Sequence, residues 1–142
     1  MFEIRAAKTE DKESIRQIYR SSAGSEAKTD ESDWDHLIRE GAVLVAQLES
    51  RIIGFGGIDV QASEQVKWLY LLPQHQGAGV GSEILHRLER IGVNAGLESL
   101  RLHSSPVAVK FYLRHGYREV DQAHRIGHDH AGVEMVKDLG AS

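Results

Sequence analysis

Residues 69–82 read Leu-Tyr-Leu-Leu-Pro-Gln-His-Gln-Gly-Ala-Gly-Val-Gly-Ser, an apolar run that breaks at Pro73 into a turn holding three glycines. An amphipathic pattern follows at once, with Ile84, Leu85, Leu88 and Ile91 on one helical face and Glu83, Arg87, Glu89 and Arg90 on the other. Glycine lets the backbone approach a ligand and turn several N–H groups toward one point. The start of a helix adds a partial positive charge of about half an elementary unit. Both features favour an anion, most often a phosphate or pyrophosphate. The local charge agrees, because Gln74 to Arg118 holds six basic residues (Arg87, Arg90, Arg101, Lys110, Arg114, Arg118) and three acidic ones (Glu83, Glu89, Glu98).

Two familiar phosphate loops do not fit. A nucleotide-hydrolysing P-loop needs Lys and then Ser or Thr after its last glycine, and Gly81 is followed by Ser82-Glu83. The dinucleotide pattern started at Gly77-x-Gly79 puts Ser82 where its third glycine belongs, and it lies halfway down the chain instead of in a first βαβ unit. The 142 residues include no cysteine, so a thiol nucleophile, a disulfide framework and a cysteine-ligated zinc are all excluded. No Gly-x-Ser-x-Gly elbow offers a serine nucleophile. His115, His124, His128 and His130, with Asp121, Asp129 and Glu134 nearby, invite a metal reading. Their spacing fits no zinc signature, and no metal site is expected.

What the loop does match is Gln76-x-x-Gly79-x-Gly81 between a strand and a helix, and a second block follows downstream, Ser105-Pro106-Val107-Ala108-Val109-Lys110-Phe111-Tyr112-Leu113-Arg114-His115-Gly116-Tyr117. On these two blocks the sequence resembles the GCN5-related N-acetyltransferase family, whose second block runs Asn-x-x-Ala-x-x-Phe-Tyr-x-x-x-Gly-Phe. The resemblance extends over nearly the whole chain, from an opening strand like Ile4-Arg5-Ala6-Ala7 to a closing one like Met135-Val136-Lys137. It implies acyl-CoA lying across the splayed ends of two strands, Val66 to Leu72 and Leu97 to His103. The pyrophosphate would be held by N–H groups of Gln76, Gly77, Ala78, Gly79, Val80, Gly81 and Ser82. The backbone of Leu71, with Tyr70 as a second candidate, would pair with the pantetheine arm like an added strand. Tyr112 matches the tyrosine that in many members protonates the departing thiolate, a role open to a phenol with an ordinary pKa of about 10.

Two positions depart from the pattern. Ser105 stands where the family usually has Asn, so its cofactor contact would be shorter or bridged by water. His103 stands at a strand end where some members place a carboxylate. An imidazole there is able to take a proton from an ammonium substrate, directly or through water, or simply to bond the backbone. The acidic residues Glu26, Asp30, Glu31, Asp33 and Asp35 have two readings as well, a solvated face or an attraction for a cationic acceptor. Trp34, which follows that loop, reads first as core or rim packing and second as a wall of the acceptor pocket.

The expected activity is transfer of an acetyl group from acetyl-CoA to a primary amine by direct attack in a ternary complex. A non-catalytic acyl-CoA-binding sensor or partner module with the same fold is the alternative. The acceptor would be a small molecule or a peptide.

The elements that must position these residues follow from patterning. A strand at Ile4 to Ala7 leads into a helix carrying Ile15, Ile18 and Tyr19, and a second helix carries Trp34, Leu37 and Ile38 up to Gly41. Ala42 to Leu48 and Arg51 to Val60 form a hairpin across Glu49-Ser50, with Gly54, Gly56 and Gly57 weakening or bulging its second strand. Strand and helix then alternate through Val66 to Leu72, the helix from Gly81, Leu97 to His103 and the helix opened by Pro106, before strands at Tyr117 to Val120 and Val133 to Val136. The order predicts one α/β domain over residues 1–142, with a mixed sheet of about six to seven strands and about four helices.

Seventeen Lys and Arg against 21 Asp and Glu give a net charge of −4, without the basic surplus of a general nucleic-acid binder. No apolar stretch approaches the roughly 20 residues that span a bilayer, and the first residues lack the pattern of an export signal. A cytoplasmic protein without membrane or nucleic-acid partners is expected, and its last strands offer a surface for homodimerisation.

Overall fold

Burial on both faces explains the two central strands. Along Val43–Leu48 and Arg51–Ile58 (β2 and β3) apolar side chains face inward at most positions, and Glu49, with φ +56°, makes the tight turn between them. The computed structural model describes residues 1–23, 31–120 and 132–140. Glu3–Ala6 (β1), Val66–Leu71 (β4), Ser99–Ser104 (β5), Arg118–Glu119 (β6) and Val133–Asp138 (β7) complete a seven-stranded sheet in the order β1-β2-β3-β4-β5-β7-β6. Among the described residues four α-helices accompany it, Lys12–Ala23 (α1), Glu31–Arg39 (α2), Val80–Asn94 (α3) and Val109–Arg114 (α4), and none is long and apolar enough to cross a membrane.

The two faces of β3 show why its glycines are there. Phe55 shares one face with Tyr70 of β4, where Tyr19 of α1 lies edge-on to Tyr70 at 5.4 Å. Trp34 of α2 fills the same layer against Tyr19, Phe55 and Trp68 at centroid distances of 5.7, 6.3 and 6.2 Å. At 1% exposure Trp34 is core, so the expectation that it walls an acceptor pocket is withdrawn. On the opposite face, a Cβ at Gly56 would come within 2.6 Å of Ile84 of α3, so the missing side chain is what lets α3 sit on the sheet. The strand continues through these glycines with two irregularities: Ile53, beside Gly54, is the extra residue where β3 bulges against β2, and the β3–β4 register shifts between Gly57 and Ile58.

The break in the sheet lies between β4 and β5. The other neighbours are antiparallel, at four to six register pairs each except the short β6, which has two with β7, but parallel β4 and β5 meet at one, Val66 with Leu102. Below that point the Gln65 side chain closes the gap by accepting the Arg101 N–H at 2.8 Å. Above it the strands part, as the sequence led us to expect. Leu72 donates its N–H to the Ile53 carbonyl at 2.9 Å, and strand alternation therefore turns the backbone groups of Leu69 and Leu71 away from β3 and into the gap.

A buried polar joint fixes the helices around this gap. Tyr117 donates to Glu89 of α3 at 2.9 Å, and Lys137 of β7 donates to both oxygens of the same carboxylate at 3.1 and 3.2 Å. Glu89, expected on the solvent face of its helix, is 9% exposed. It is the anchor that ties α3 to β7 and to the chain leaving α4.

Candidate active site

A cavity of about 610 Å³ opens above the parting of β4 and β5, in the size range of small-molecule sites. Leu71, Gln76, Gly77, Gly79, Gly81, Ser82 and Ser105, all singled out in the sequence, line it. Ala78 is exposed beside it, and the Val80 side chain is buried in the core at 1%. Gly77 and Gly79 both have φ +85°, the left-handed region that glycine enters without strain. These two turns bring the chain from the short 3-10 turn Pro73–His75 into α3.

Glu83 is the first residue of that helix to donate its N–H backwards, to the Gly79 carbonyl at 3.1 Å. The N–H groups of Val80, Gly81 and Ser82 consequently have no acceptor inside the helix. Gly81 also lets the Phe111 ring approach, since a Cβ there would sit 3.4 Å from it. Across the cavity the short 3-10 turn Pro106–Ala108, opened by Ser105, feeds α4 and delivers Phe111 and Tyr112.

Tyr112 is 8% exposed and packs edge-on between Phe111 at 5.2 Å and Tyr117 at 5.6 Å. Burial, reinforced by nearby Tyr70, pushes its phenol well above the ordinary range. The hydroxyl is therefore a permanent donor, and among the described residues it has no hydrogen-bonded partner.

Tyr112 also lines a smaller pocket of about 90 Å³ on the β5 side, together with Leu69, Ser105 and Ala108, which it shares with the larger cavity. His103 stands there. Its Nδ1 lies 3.9 Å from Oε2 of Glu64, and Glu134 faces it directly across the β5–β7 pair. One ligand atom of each of these three residues lies within 4.8 Å of the others, close enough for a shared cation. The Glu64 carboxyl is shifted upward, first by burial and then by the charge of Glu134 against the opposing pull of His103. Its Oε2 is buried without a hydrogen-bond donor. Glu134 is only 6% exposed. A Cβ at Gly132 would come within 2.2 Å of His103 Nε2, so the ring rests against bare backbone.

Glu64 was not singled out in the sequence, and Glu134 only as a neighbour of the histidine-rich segment. A charged residue inside the apolar run Val133-Glu134-Met135-Val136 was the available signal. Among the acidic residues named between 26 and 35, Asp33 of α2 is exposed and Asp35 of the same helix pairs with Lys12 at 2.6 Å, which agrees with a solvated face. Glu26, Asp30, Asp121, His124, His128, Asp129 and His130 lie outside the described residues, as does the Glu31 side chain. His115, grouped with those histidines in the sequence, instead lines the large cavity.

Comparison with known proteins matches residues 8–139 to the model of the acetyltransferase (GNAT) domain. An uncharacterized N-acetyltransferase, YjcF, of Bacillus subtilis (strain 168) is 27% identical over 109 residues, 76% of this chain and 78% of that protein. The N-acetylglutamate synthase of Neisseria gonorrhoeae, solved with coenzyme A and N-acetyl-glutamate, superposes with a TM-score of 0.83 at 14% identity. That match covers 99% of this chain and 35% of the synthase, so the chain spans about a third of that longer protein. The PaiA N-acetyltransferase of Thermoplasma acidophilum, solved with coenzyme A, gives a TM-score of 0.73 at 24% identity over 97% of this chain and 99% of that one. These superpositions establish a common fold.

Proposed function

The chain belongs to the family of acetyltransferase (GNAT) domains, and from that membership we propose that it transfers an acetyl group from acetyl-CoA to a primary amine with both substrates bound together. The observation that carries this reading is the single register pair between β4 and β5, which leaves a cleft with one wall of strand backbone lacking a strand partner, where the Leu71 carbonyl accepts the Ser22 hydroxyl at 3.4 Å, and a glycine turn at its end. The N–H groups of Val80, Gly81 and Ser82 hold the diphosphate at the start of α3. The backbone of Leu69 and Leu71 pairs with the amides of the pantetheine arm. The thioester then lies beside Tyr112, one of the four residues common to both pockets.

The acceptor enters from the β5–β7 side as an ammonium ion, drawn by Glu64 and Glu134. His103 removes one proton. The amine attacks the thioester carbonyl, the C–N bond forms, and the C–S bond breaks with its electron pair going to sulfur. Tyr112 donates to that sulfur, and the second nitrogen proton replaces the one delivered. Placing both reactants in one cleft supplies much of the acceleration, because it converts a bimolecular encounter into an oriented attack.

The test is an amine screen that follows CoA release from acetyl-CoA, with Tyr112→Phe alongside. Amine-dependent thiol release that collapses in Tyr112→Phe is the expected result. Tight acetyl-CoA binding with no release in the presence of small amines and peptide N-termini would favour a non-catalytic acyl-CoA sensor instead.

A further inference from the structure

His115 was a loose histidine in the sequence, yet both of its ring nitrogens are engaged at the cofactor cleft. Nδ1 is 2.7 Å from the Phe111 carbonyl oxygen, and Nε2 is 2.8 Å from the Ser82 hydroxyl. The ring stacks on Phe111 with centroids 4.5 Å apart. Ser82 and His115 both line the large cavity, and Ser82 is the last residue of α3 whose N–H is free to meet an anion.

These contacts fix the proton arrangement. A carbonyl oxygen only accepts, so Nδ1 carries a hydrogen. In the neutral ring Nε2 is then bare, and the single Ser82 hydroxyl hydrogen is given to it. A phosphate oxygen arriving in the cavity would meet the lone pairs of that hydroxyl. If the ring is protonated, Nε2–H donates to Ser82 Oγ, and the hydroxyl hydrogen is free to turn to the phosphate.

We propose that His115 is a positioning residue of the cofactor cleft, which takes up a proton as the diphosphate docks and thereby turns Ser82 from a blocked hydroxyl into a phosphate donor. The inference rests on acetyl-CoA being the ligand of this cavity. Charge supports it, since an anion arriving near Ser82 favours the imidazolium and the imidazolium in turn holds the anion. The other ionisable groups on the packed elements are few. His86 of α3 has its ring 5.7 Å from that of His115, and Arg114 of α4 lines the cavity. Glu83 of α3 pairs with Arg87 at 3.4 Å, while Lys137 of β7, next to Gly116, is engaged by Glu89. None of these offers Ser82 an alternative acceptor in the described contacts.

Calorimetric titration with acetyl-CoA, in buffers of different ionisation enthalpy near pH 8, counts protons taken up on binding. Its 3′-dephospho form serves as a second ligand, which removes the ionisation of the 3′-phosphate. Wild type should take up a net fraction of a proton with both ligands, and its Kd should weaken with rising pH by up to about tenfold per pH unit, the limit for one linked proton. Ser82→Ala and His115→Gln should flatten that slope, with His115→Gln losing the uptake altogether. His86→Gln should keep it.

The 15N shifts of the His115 ring in wild type, followed on adding ligand, report the same protonation without a substitution. A neutral ring in the complex overturns the proposal, as does uptake by His115→Gln equal to wild type. Binding without uptake overturns this inference alone, whereas no binding of either ligand also removes acetyl-CoA as the occupant.

Discussion

On the α3 side of the cleft the groups proposed to meet a ligand are backbone N–H donors and small residues from one continuous stretch, 76–82. On the β5–β7 side they are the side chains of Glu64, His103 and Glu134, which come from a connection and two strands and meet only because β5 and β7 pair in that register. One half presents donors to an anion. The other presents two carboxylates and an imidazole to a cation. Tyr112 stands where the halves meet, neutral and nearly enclosed. Backbone donors are positioned by dihedral angles and tolerate change in side chains, while a side-chain cluster depends on each member. The two halves should therefore fail differently.

The largest expected effect lies at the junction. Tyr112→Phe keeps the ring between Phe111 and Tyr117 and should lower kcat on the order of a hundredfold, with little change in acetyl-CoA affinity, because it removes only a proton donor. Next comes the acceptor half. His103→Gln should reduce kcat/KM for the amine by roughly thirtyfold, again without weakening acetyl-CoA. Equal losses in amine and acetyl-CoA parameters would erase the division between the halves.

The cofactor half is probed through its backbone. A Cβ at Gly79 meets nothing within 4 Å, so Gly79→Ala costs only the strain of φ +85°. That strain, about 1 to 2 kcal/mol, should weaken acetyl-CoA binding about tenfold while sparing the chemical step once the cofactor is saturating. The smallest effect concerns stability. Burial raises the Glu64 carboxyl in the folded protein, so as pH rises the unfolded chain releases this proton first, and the fold loses stability through that window. Glu64 is 28% exposed on its side chain, which limits the effect to a few tenths of a kcal/mol. Glu64→Gln should flatten that part of a chemical-denaturation series across pH.

The same difference in construction governs what could be read from residues alone. Gln76 to Ser82 and Phe111-Tyr112 are contiguous, and their conformations are imposed by glycine, proline and helical periodicity, so their positions were legible, while the purpose proposed for them came with the family resemblance. The hairpin and α3 followed from the same local rules, whereas the parting of β4 from β5 was expected from the resemblance alone. Glu64 and Glu134 were not legible as a pair, because 70 residues of chain separate them and only the strand register joins them. Glu89 was misplaced for a related reason. It lies at an amphipathic boundary, and what decided its burial was partners from elsewhere, Tyr117 and Lys137.

The division of the cleft is tested most directly by titrating acetyl-CoA into wild type, Gly79→Ala and Glu134→Gln under one condition. Wild type and Glu134→Gln should bind with the same Kd, and Gly79→Ala should bind about tenfold more weakly. Failure of wild type to bind would contradict the cofactor assignment, and loss of binding in Glu134→Gln with Gly79→Ala unaffected would reverse the roles of the two halves.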